Sequence, residues 1–393
     1  MKTLKPKIAL FILFAISILF FSNDFGLIDI EKTAIITAIA IDKSQDGEYE
    51  VTCQIAVPEA SNAISENQKA QLSGKGSTVA HAIKEVGSVS GWFPQTIFCN
   101  LIILGNDLLQ ENVMNVIDYF SGTMRVQGSA QIVFAEKKAK ELLEATTPLD
   151  NISSFAIQKI LLKNPGFDQD VSPIDVKTFC VDYYSESTSS FIPLVKIITT
   201  EKEQSDSQSS QPNSQDTSGN KTKGKNTFDA TTTSLFLRGK KVGELDRTLT
   251  RTLNTLTKNV NGTSFNVDDV NGENFLIGIL YENCDIKLNA TNNDLNLKIK
   301  VDMYCKVLDN NECAHLNNSV SSNALPLRVK QATELQIKNA VTELIETSRQ
   351  TGCDFLHLKE KLYRFCNKQY SRYKDNYLQT LNYNIQVNVN GQR

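Results

Sequence analysis

The chain has 393 residues, a length typical of two or three domains with substantial hydrophobic cores. Its net charge is −3, and its Lys and Arg residues form no block of the kind that binds nucleic acid, so we exclude a nucleic-acid partner. The sequence contains no G-x-S-x-G, no Walker loop and no G-x-G-x-x-G, which removes the local signatures of several enzyme classes.

The beginning of the chain combines positive charge with an apolar run. Three lysines within the first seven residues precede the apolar residues 8–21, the pattern of an export segment whose positive end stays in the cytoplasm. No A-x-A cleavage site follows, and the first cysteine, Cys53, lies too far along the chain to carry a lipid. We expect residues 1–24 to be a retained membrane anchor. Cleavage at an atypical site and a buried core helix are the alternatives.

The predicted N-terminal domain, residues 25–145, begins with a β-hairpin over residues 33–57. Apolar residues alternate along both strands, and Asp46-Gly47 lies in the connection, where a positive φ is wanted. The first strand is apolar on both faces, which indicates a central strand covered on both sides. These two faces are predicted to be Ile35, Thr37, Ile39 and Ile41, and Ala34, Ile36, Ala38 and Ala40.

Helices and strands are predicted to alternate after the hairpin. The segment "ASNAISENQKAQ" indicates a polar loop, and Val79, Ile83 and Val86 repeat at helical spacing. The buried strand "TIFCNLIILG" precedes a helix capped by Asn106 or Asp107, and the strand "SAQIVFA" precedes the helix "EKKAKELLEA". This order predicts a mixed α/β domain.

Three further segments follow. Residues 146–200 are predicted to form a largely helical middle domain that ends in the strand "FIPLVKIIT". Residues 201–228 contain almost no hydrophobic residue, which predicts a disordered loop or linker. Residues 229–393 are predicted to form an antiparallel sheet with two long amphipathic helices, the second opened by Asp354. The apolar stripes of the two helices are predicted to be Ile337, Ala340, Val341, Leu344 and Ile345, and Phe355, Leu358, Leu362 and Phe365. The predicted fold class is therefore α+β, with an N-terminal membrane segment followed by about three mixed α/β domains.

Three histidines and eight cysteines are the candidates for metal binding or nucleophilic catalysis. Cys353 and His357 are four residues apart on a predicted helix, a spacing that places two metal ligands on one face, but no second pair supplies the remaining ligands. Cys313 and His315 form an equally incomplete pair. A Cys–His hydrolase would draw on Cys99, Cys353, His81 and His357, without a local signature. We predict no catalytic, cofactor-binding, metal-binding or lipidated residue.

Four of the cysteines and the single tryptophan also have structural interpretations. Cys53, Cys99, Cys180 and Cys305 lie inside apolar runs, which favours small buried hydrophobic residues. A disulfide between Cys305 and Cys313 is the alternative for one of them. Trp92, in "SGWFPQ", is predicted either to pack in the core or to be an exposed contact for a partner or a membrane surface.

The order of these segments resembles the Ger(x)C family. The resemblance runs from about Asp29 to Gly391 and is carried by hydrophobic and turn motifs rather than catalytic ones. These motifs are "TAIAIDK", which ends the first strand, "LIILG", "AEKKAKELLE", "LFLRGKKVGELD" with Gly239 and Gly243, and "CDFLHLKEKLYRFCNKQY" near the end of the chain. Gly26-Leu27 stand where the family carries its lipidated cysteine, so we expect no lipid on this chain.

The resemblance implies a non-catalytic C subunit of a GerA-type nutrient receptor in endospore-forming bacteria, without a cofactor. Family members lie on the outer face of the spore inner membrane beside an A-type and a B-type integral-membrane subunit, and together they start germination. The resemblance identifies no germinant and does not say whether this subunit contacts one. An exported scaffold or adhesion module is the alternative function, and an exported Cys–His hydrolase is a weaker one.

Overall fold

A computed structural model describes residues 8, 10–17, 33–56, 69–122, 126–148, 150, 152–162, 169–200, 225–258, 262–268, 272–310 and 325–391. Residues 10–17 are helical. Within the described part of the chain, no helix is long and apolar enough to cross a membrane. The rest of the predicted anchor 1–24, apart from residue 8, lies outside the described residues, as do residues 201–224 of the predicted linker.

The described strands form two sheets, and helices pack against both. The first sheet contains β1 (Thr33–Lys43), β2 (Tyr49–Ala56), β3 (Lys69–Gly76), β4 (Phe93–Gln95), β5 (Leu101–Leu104), β6 (Gln131–Ala135), β7 (Ser189–Thr200), β8 (Lys225–Leu237) and β9 (Lys240–Leu245). The second contains β10 (Ser264–Asp268), β11 (Asn274–Ala290), β12 (Leu295–Asn310) and β13 (Leu381–Gly391). The helices after residue 78 are α1 (Val79–Ser90), α2 (Met114–Gly122), α3 (Ala139–Glu144), α4 (Ser153–Leu161), α5 (Val176–Tyr183), α6 (Arg247–Thr257), α7 (Leu327–Thr351), α8 (Leu358–Phe365), α9 (Asn367–Tyr373) and α10 (Tyr377–Thr380), with a 3-10 helix at Asn106–Gln110.

The first sheet is mixed and covered by helices on both faces. Its strand order is β3-β2-β1-β5-β6-β7-β8-β9, and β1, β5, β6 and β7 run parallel to their neighbours in that series. Apolar residues of α1, α2 and α5 pack on one face, and those of α3 and α4 pack on the other. This arrangement explains why β1 is apolar on both sides, since a strand at the centre of such a sheet is shielded from water twice.

The hairpin β1–β2 confirms the first predicted element and corrects one detail of it. Gly47 in the connection has φ +82°, and Ile39 pairs with Cys53 as the alternation predicts. A β-bulge between Ile36 and Ala38 adds one residue to β1. Ile36 therefore packs in the same cluster as Ile39 and Ile41, whereas the alternation had placed Ile35 there. A bulge shifts the faces of a strand by one residue, and periodicity alone does not reveal it.

The predicted loop at residues 60–71 is wrong at its end, because β3 begins at Lys69. This strand forms the edge of the first sheet beside β2, and its sequence, "KAQLSGKG", carries little hydrophobic alternation. The glycines of β3 allow helix α1 to pack directly against the strand, because a Cβ on Gly74 would lie 2.3 Å from the carbonyl oxygen of Ala82. Close helix packing, rather than side-chain burial, determines the composition of β3.

The second sheet has the order β10-β11-β12-β13, and the α+β fold class is confirmed. The long antiparallel pair β11–β12 and the buried stripe of α7 are as predicted. Two details differ. Strand β13 pairs with β12 in parallel, and the second long helix is instead three short helices, α8, α9 and α10. Phe365, predicted to lie on a buried stripe, is 79% exposed at the end of α8.

Strand β7 connects segments that were predicted to be separate. It lies at the end of the predicted middle domain, yet it pairs in parallel with β6 and antiparallel with β8. Residues 225–228, predicted to be part of the linker, begin β8. The first sheet is therefore assembled from all four consecutive predicted segments, 25–145, 146–200, 201–228 and 229–393. The domain boundaries remain a prediction.

Candidate functional site

Three of the motifs that carry the family resemblance meet at Asp42, the last residue of "AIAID". Its carboxylate accepts hydrogen bonds from the backbone N–H groups of Ala139 (2.7 Å) and Lys140 (3.0 Å), at the beginning of α3. An acidic side chain at this position satisfies donors that the helix leaves unpaired. Burial raises the pKa of Asp42, and these two hydrogen bonds oppose that shift. The motifs are thus a structural unit that fixes α3 on the sheet.

Gly105, the last residue of "LIILG", completes the contact around Asp42. A Cβ at position 105 would lie 2.1 Å from Oδ1 of Asp42, a distance that no side chain tolerates. Glycine is therefore required because the carboxylate occupies the space of a side chain.

The hairpin β8–β9 lies where the two sheets meet. Its turn residues Arg238 and Gly239 both have positive φ, 50° and 73°, as a two-residue hairpin turn requires. A Cβ on Gly239 would lie 1.9 Å from Oδ1 of Asn112, beside α2. A Cβ on Gly243 would lie 2.9 Å from Cγ2 of Thr351, at the end of α7. The hairpin therefore lies close both to α2, which packs on the first sheet, and to α7, which packs on the second.

The centre of this junction is the buried side chain of Asp354, which has no exposed surface. Oδ2 accepts hydrogen bonds from Ser187 Oγ (2.8 Å) and Tyr377 Oη (3.1 Å). The backbone N–H groups of Leu358 and Lys359 donate to the same carboxylate, each at 2.8 Å. Asp354 therefore joins the loop before β7 to the short helices at the end of the chain. We call these residues the Asp354 junction.

Tyr377 and Ser189 reinforce the junction. Burial, together with the neighbouring Asp354, raises the pKa of the Tyr377 phenol, so the hydroxyl remains a donor. The backbone N–H of Asp354 donates to Ser189 Oγ at 2.9 Å, so Asp354 contacts β7 through its backbone and the loop before β7 through its side chain. Four donors are thus hydrogen-bonded to the carboxylate, which is the condition under which a buried polar side chain is tolerated.

Asp182, Ser190 and His357 form a second polar cluster beside the junction. Ser190 Oγ donates to Asp182 Oδ2 at 2.8 Å, and His357 Nε2 lies 3.5 Å from Asp182 Oδ1. Burial raises the pKa of Asp182, and the nearby His357 opposes that shift. The carboxylate here stands between the serine and the histidine. In a catalytic triad the histidine stands between the other two, so this order does not activate the serine.

Cys353 is also unsuited to nucleophilic chemistry. Its thiol is buried and donates to the carbonyl oxygen of Phe236 at 3.3 Å, and burial raises its pKa to about 12. A reactive cysteine needs the opposite shift. Cys353 and His357, the pair considered as metal ligands, do not share a helix face, because both residues precede α8 and His357 has a φ of 53°. No group of three or more metal-ligating side chains occurs within the described ranges.

The other candidates from the sequence are dispersed. His81 is half-exposed on α1, with Nε2 3.7 Å from Glu85. Cys99 is buried, donates to the carbonyl oxygen of Leu101, and has a pKa raised to about 12 by burial. Burial of Cys53, Cys99 and Cys305 is confirmed, whereas Cys180 is only half-buried. Cys313 and His315 lie outside the described residues.

A second buried junction joins α6 to the segment before α5. The Asn254 side chain donates to the carbonyl oxygens of Gln169 (2.6 Å) and Val171 (2.8 Å). Gln169 Nε2 donates to Glu282 Oε2 at 3.3 Å, on strand β11. Glu282 has no exposed surface, and burial raises its pKa to about 7. The two sheets are therefore connected at two places by buried polar groups.

Comparison with known proteins agrees with this architecture. The chain matches "Spore germination protein N-terminal domain" over residues 27–197 and "Spore germination B3/ GerAC like, C-terminal" over residues 231–393. The chain belongs to the GerAC family of spore germination proteins. The resemblance drawn from the motifs is confirmed, and the junctions described above lie within the two matched regions of this GerAC-family chain.

One solved structure shares the fold of this chain. The structure described as "Crystal Structure of the GerBC protein" has 16% sequence identity to this chain and a TM-score of 0.52. The alignment covers 92% of this chain and 99% of that one. No curated protein matches the chain at a significant level.

Sequence reasoning found the motifs but missed the Asp354 junction. Asp354 was recognised only as a helix cap, while Ser187, Ser189 and Tyr377 belong to no motif. Ser187 and Asp354 are 167 residues apart, so no local spacing brings them together. The run of small hydroxyl residues at the beginning of β7, "STSS" (187–190), is the signal that could have indicated a buried polar contact.

Proposed function

We propose that this protein is the non-catalytic C subunit of a spore germinant receptor, acting with two integral-membrane subunits in nutrient-triggered germination. The observation that carries the proposal is the match to the germination family in both halves of the chain, residues 27–197 and 231–393. The fold shared with the GerBC protein over 92% of the chain supports it.

The geometry of the described residues favours assembly over catalysis. The buried polar groups with raised pKa values serve as hydrogen-bond partners between elements, as Cys353 and Tyr377 do. Two junctions of this kind hold the two sheets together. A catalytic site would instead bring an acid or base and a nucleophile to a shared accessible cleft.

We further propose that the protein is anchored at the outer face of the spore inner membrane by residues 1–24. The soluble part then consists of residues 25–145, 146–200 and 229–393, with residues 201–228 as a connection. The apolar run over residues 8–21 and the absence of a nearby cysteine support a retained anchor. N-terminal sequencing of the mature protein tests this, and a start near residues 23–28 would contradict it.

Affinity purification from spore inner membranes tests the proposed partnership. A tagged chain, solubilised in mild detergent, is expected to bring both an A-type and a B-type membrane subunit with it. Deleting the genes for those subunits is expected to lower the abundance of this chain. If it purifies alone and keeps its normal abundance, the scaffold or adhesion function replaces the receptor function.

The hydrolase alternative has its own test. It requires that a single substitution among Cys99, Cys353, His81 and His357 abolishes function while the protein stays folded. The receptor proposal expects each of these variants to support germination as long as circular dichroism shows a native spectrum.

A further inference from the structure

An exposed aromatic surface lies between α1 and β5. Trp92 is 48% exposed, Phe93 38%, Ile97 44% and Phe98 53%. We call these four residues the aromatic rim. The prediction that Trp92 packs in the core is therefore wrong, and the alternative, an exposed contact, agrees with its position. Four large apolar side chains within seven residues are more than scattered surface hydrophobicity, and such groups mark binding surfaces.

The rim lies at the end of the sheet where the chain enters it. Thr33, the first residue of β1, pairs with Phe93 of β4 in parallel. The loop that carries Ile97 and Phe98 precedes β5, which also runs parallel to β1. The starting ends of parallel strands lie at the same edge of a sheet, so the rim and the beginning of β1 share that edge.

The apolar N-terminal run is close to this edge along the chain. Thr33 lies twelve positions after Phe21, the last residue of that run. A chain of this length reaches at most about 40 Å when fully extended. An anchor in the membrane would therefore hold the edge with the rim within about 40 Å of the lipid surface.

The charge around the rim also suits a lipid surface. Residues 87–100 contain no Asp, Glu, Lys or Arg. Trp92 and Phe93 line a groove together with Tyr119 of α2, and among the described residues lining it Lys84 is the charged one. A cation beside exposed aromatic rings favours anionic headgroups, and tryptophan prefers the boundary between headgroups and acyl chains.

We propose that the aromatic rim, Trp92, Phe93, Ile97 and Phe98, inserts into the headgroup region of the membrane and fixes the orientation of the protein on it. This inference rests on the membrane anchoring in the proposed function and adds a second, independent contact. Anchor and rim together restrict rotation about the tether, which a single N-terminal attachment leaves free.

Trp92 is the only tryptophan of the chain, so its fluorescence reports on the rim directly. The experiment reconstitutes the full-length chain into vesicles of phosphatidylethanolamine and phosphatidylglycerol. Parallel vesicles carry acyl chains brominated near the headgroup. We expect a loss of Trp92 emission in the brominated vesicles, a blue-shifted maximum, and protection from iodide in the water phase.

Variants separate the rim from general membrane attachment. Replacing both Ile97 and Phe98 by Ser is expected to reduce quenching by brominated lipid and to increase quenching by iodide. Phe365→Ser is the control, because Phe365 is an even more exposed apolar residue that lies outside the rim, at the end of α8. It is expected to leave both kinds of quenching unchanged.

Two results would overturn the inference. Equal emission in brominated and ordinary vesicles, with free access for iodide, would place the rim in water. Emission that is insensitive to brominated lipid but becomes shielded when the membrane subunits are reconstituted too would assign the rim to a protein partner. Both readouts are independent of germination, so failure of the receptor function in spores would leave the vesicle result standing.

Discussion

Replacing Asp354 by Ala removes the acceptor on which the hydrogen bonds of the Asp354 junction converge. Two backbone N–H groups, a serine hydroxyl and a tyrosine hydroxyl lose their partner in a site closed to water. Each unsatisfied buried donor costs about 1–3 kcal/mol, and some of the four regain water after local relaxation. We therefore expect the free energy of unfolding to fall by about 4 kcal/mol, near the upper end for a single substitution.

Two further variants calibrate this number. Asp354→Asn keeps one acceptor oxygen and fills the same space, so we expect roughly half of the loss. Asp285→Ala removes an exposed carboxylate that pairs with Lys287, and we expect a change below about 0.5 kcal/mol, since surface ion pairs contribute little.

The assay is urea unfolding of the full-length chain in detergent, followed by Trp92 fluorescence and by far-ultraviolet circular dichroism. Trp92 reports on the first sheet, while circular dichroism reports on the whole protein. We expect the two transitions to separate in Asp354→Ala, because the junction connects the two sheets. A stability equal to that of Asp285→Ala, with coincident transitions, would refute the account of the junction.

Three other predictions follow from the buried groups. Gly105→Ala places a Cβ 2.1 Å from Oδ1 of Asp42, so we expect it to destabilise the protein by about 2 kcal/mol and to lower the melting temperature. Gly122→Ala is the control, because its Cβ meets open space and should change the melting temperature little. Equal melting temperatures for the two variants would contradict the contact. Burial raises the pKa of Glu282 from 4.5 to about 7, so the unfolded chain loses this proton at lower pH than the folded protein, and stability falls as pH rises between those values. The stability of Glu282→Gln relative to the wild type should therefore increase by about 3 kcal/mol from pH 4.5 to pH 8. A stability difference that does not depend on pH would contradict this. Cys353→Ala should leave germination unchanged in complemented spores, because a thiol with a pKa of about 12 is no nucleophile, and lost germination with a native circular-dichroism spectrum would indicate catalysis.

The first strand shows how far the sequence alone reaches. Alternation and the Asp46-Gly47 turn predicted the hairpin β1–β2 and its central position, since both depend on local periodicity. The bulge between Ile36 and Ala38 was not predictable, because it changes the register without changing the composition. Strand β3 was missed for a related reason: its glycines are selected by the approach of α1, which is a tertiary contact.

The candidate sites show the limit more clearly. Spacing suggested that Cys353 and His357 share a helix face, but Asp354 caps α8 and holds both residues before its first turn. The Asp354 junction combines residues from the loop before β7 with the last helices, and no pattern within either segment predicts the other. Long-range polar contacts of this kind become visible only when the topology is known. Trp92 is the opposite case, because the lack of charged residues around it can be read directly from the local sequence.

The germination of spores that lack this protein tests the receptor function most directly. The spores are exposed to a panel of amino acids, sugars and nucleosides, with a receptor-independent trigger as the control and the wild-type gene restored in a parallel strain. The account predicts that the response to at least one nutrient class is lost, that the control trigger still works, and that the restored gene recovers the response. An unchanged response to every nutrient, in a strain without related receptor genes, would contradict it.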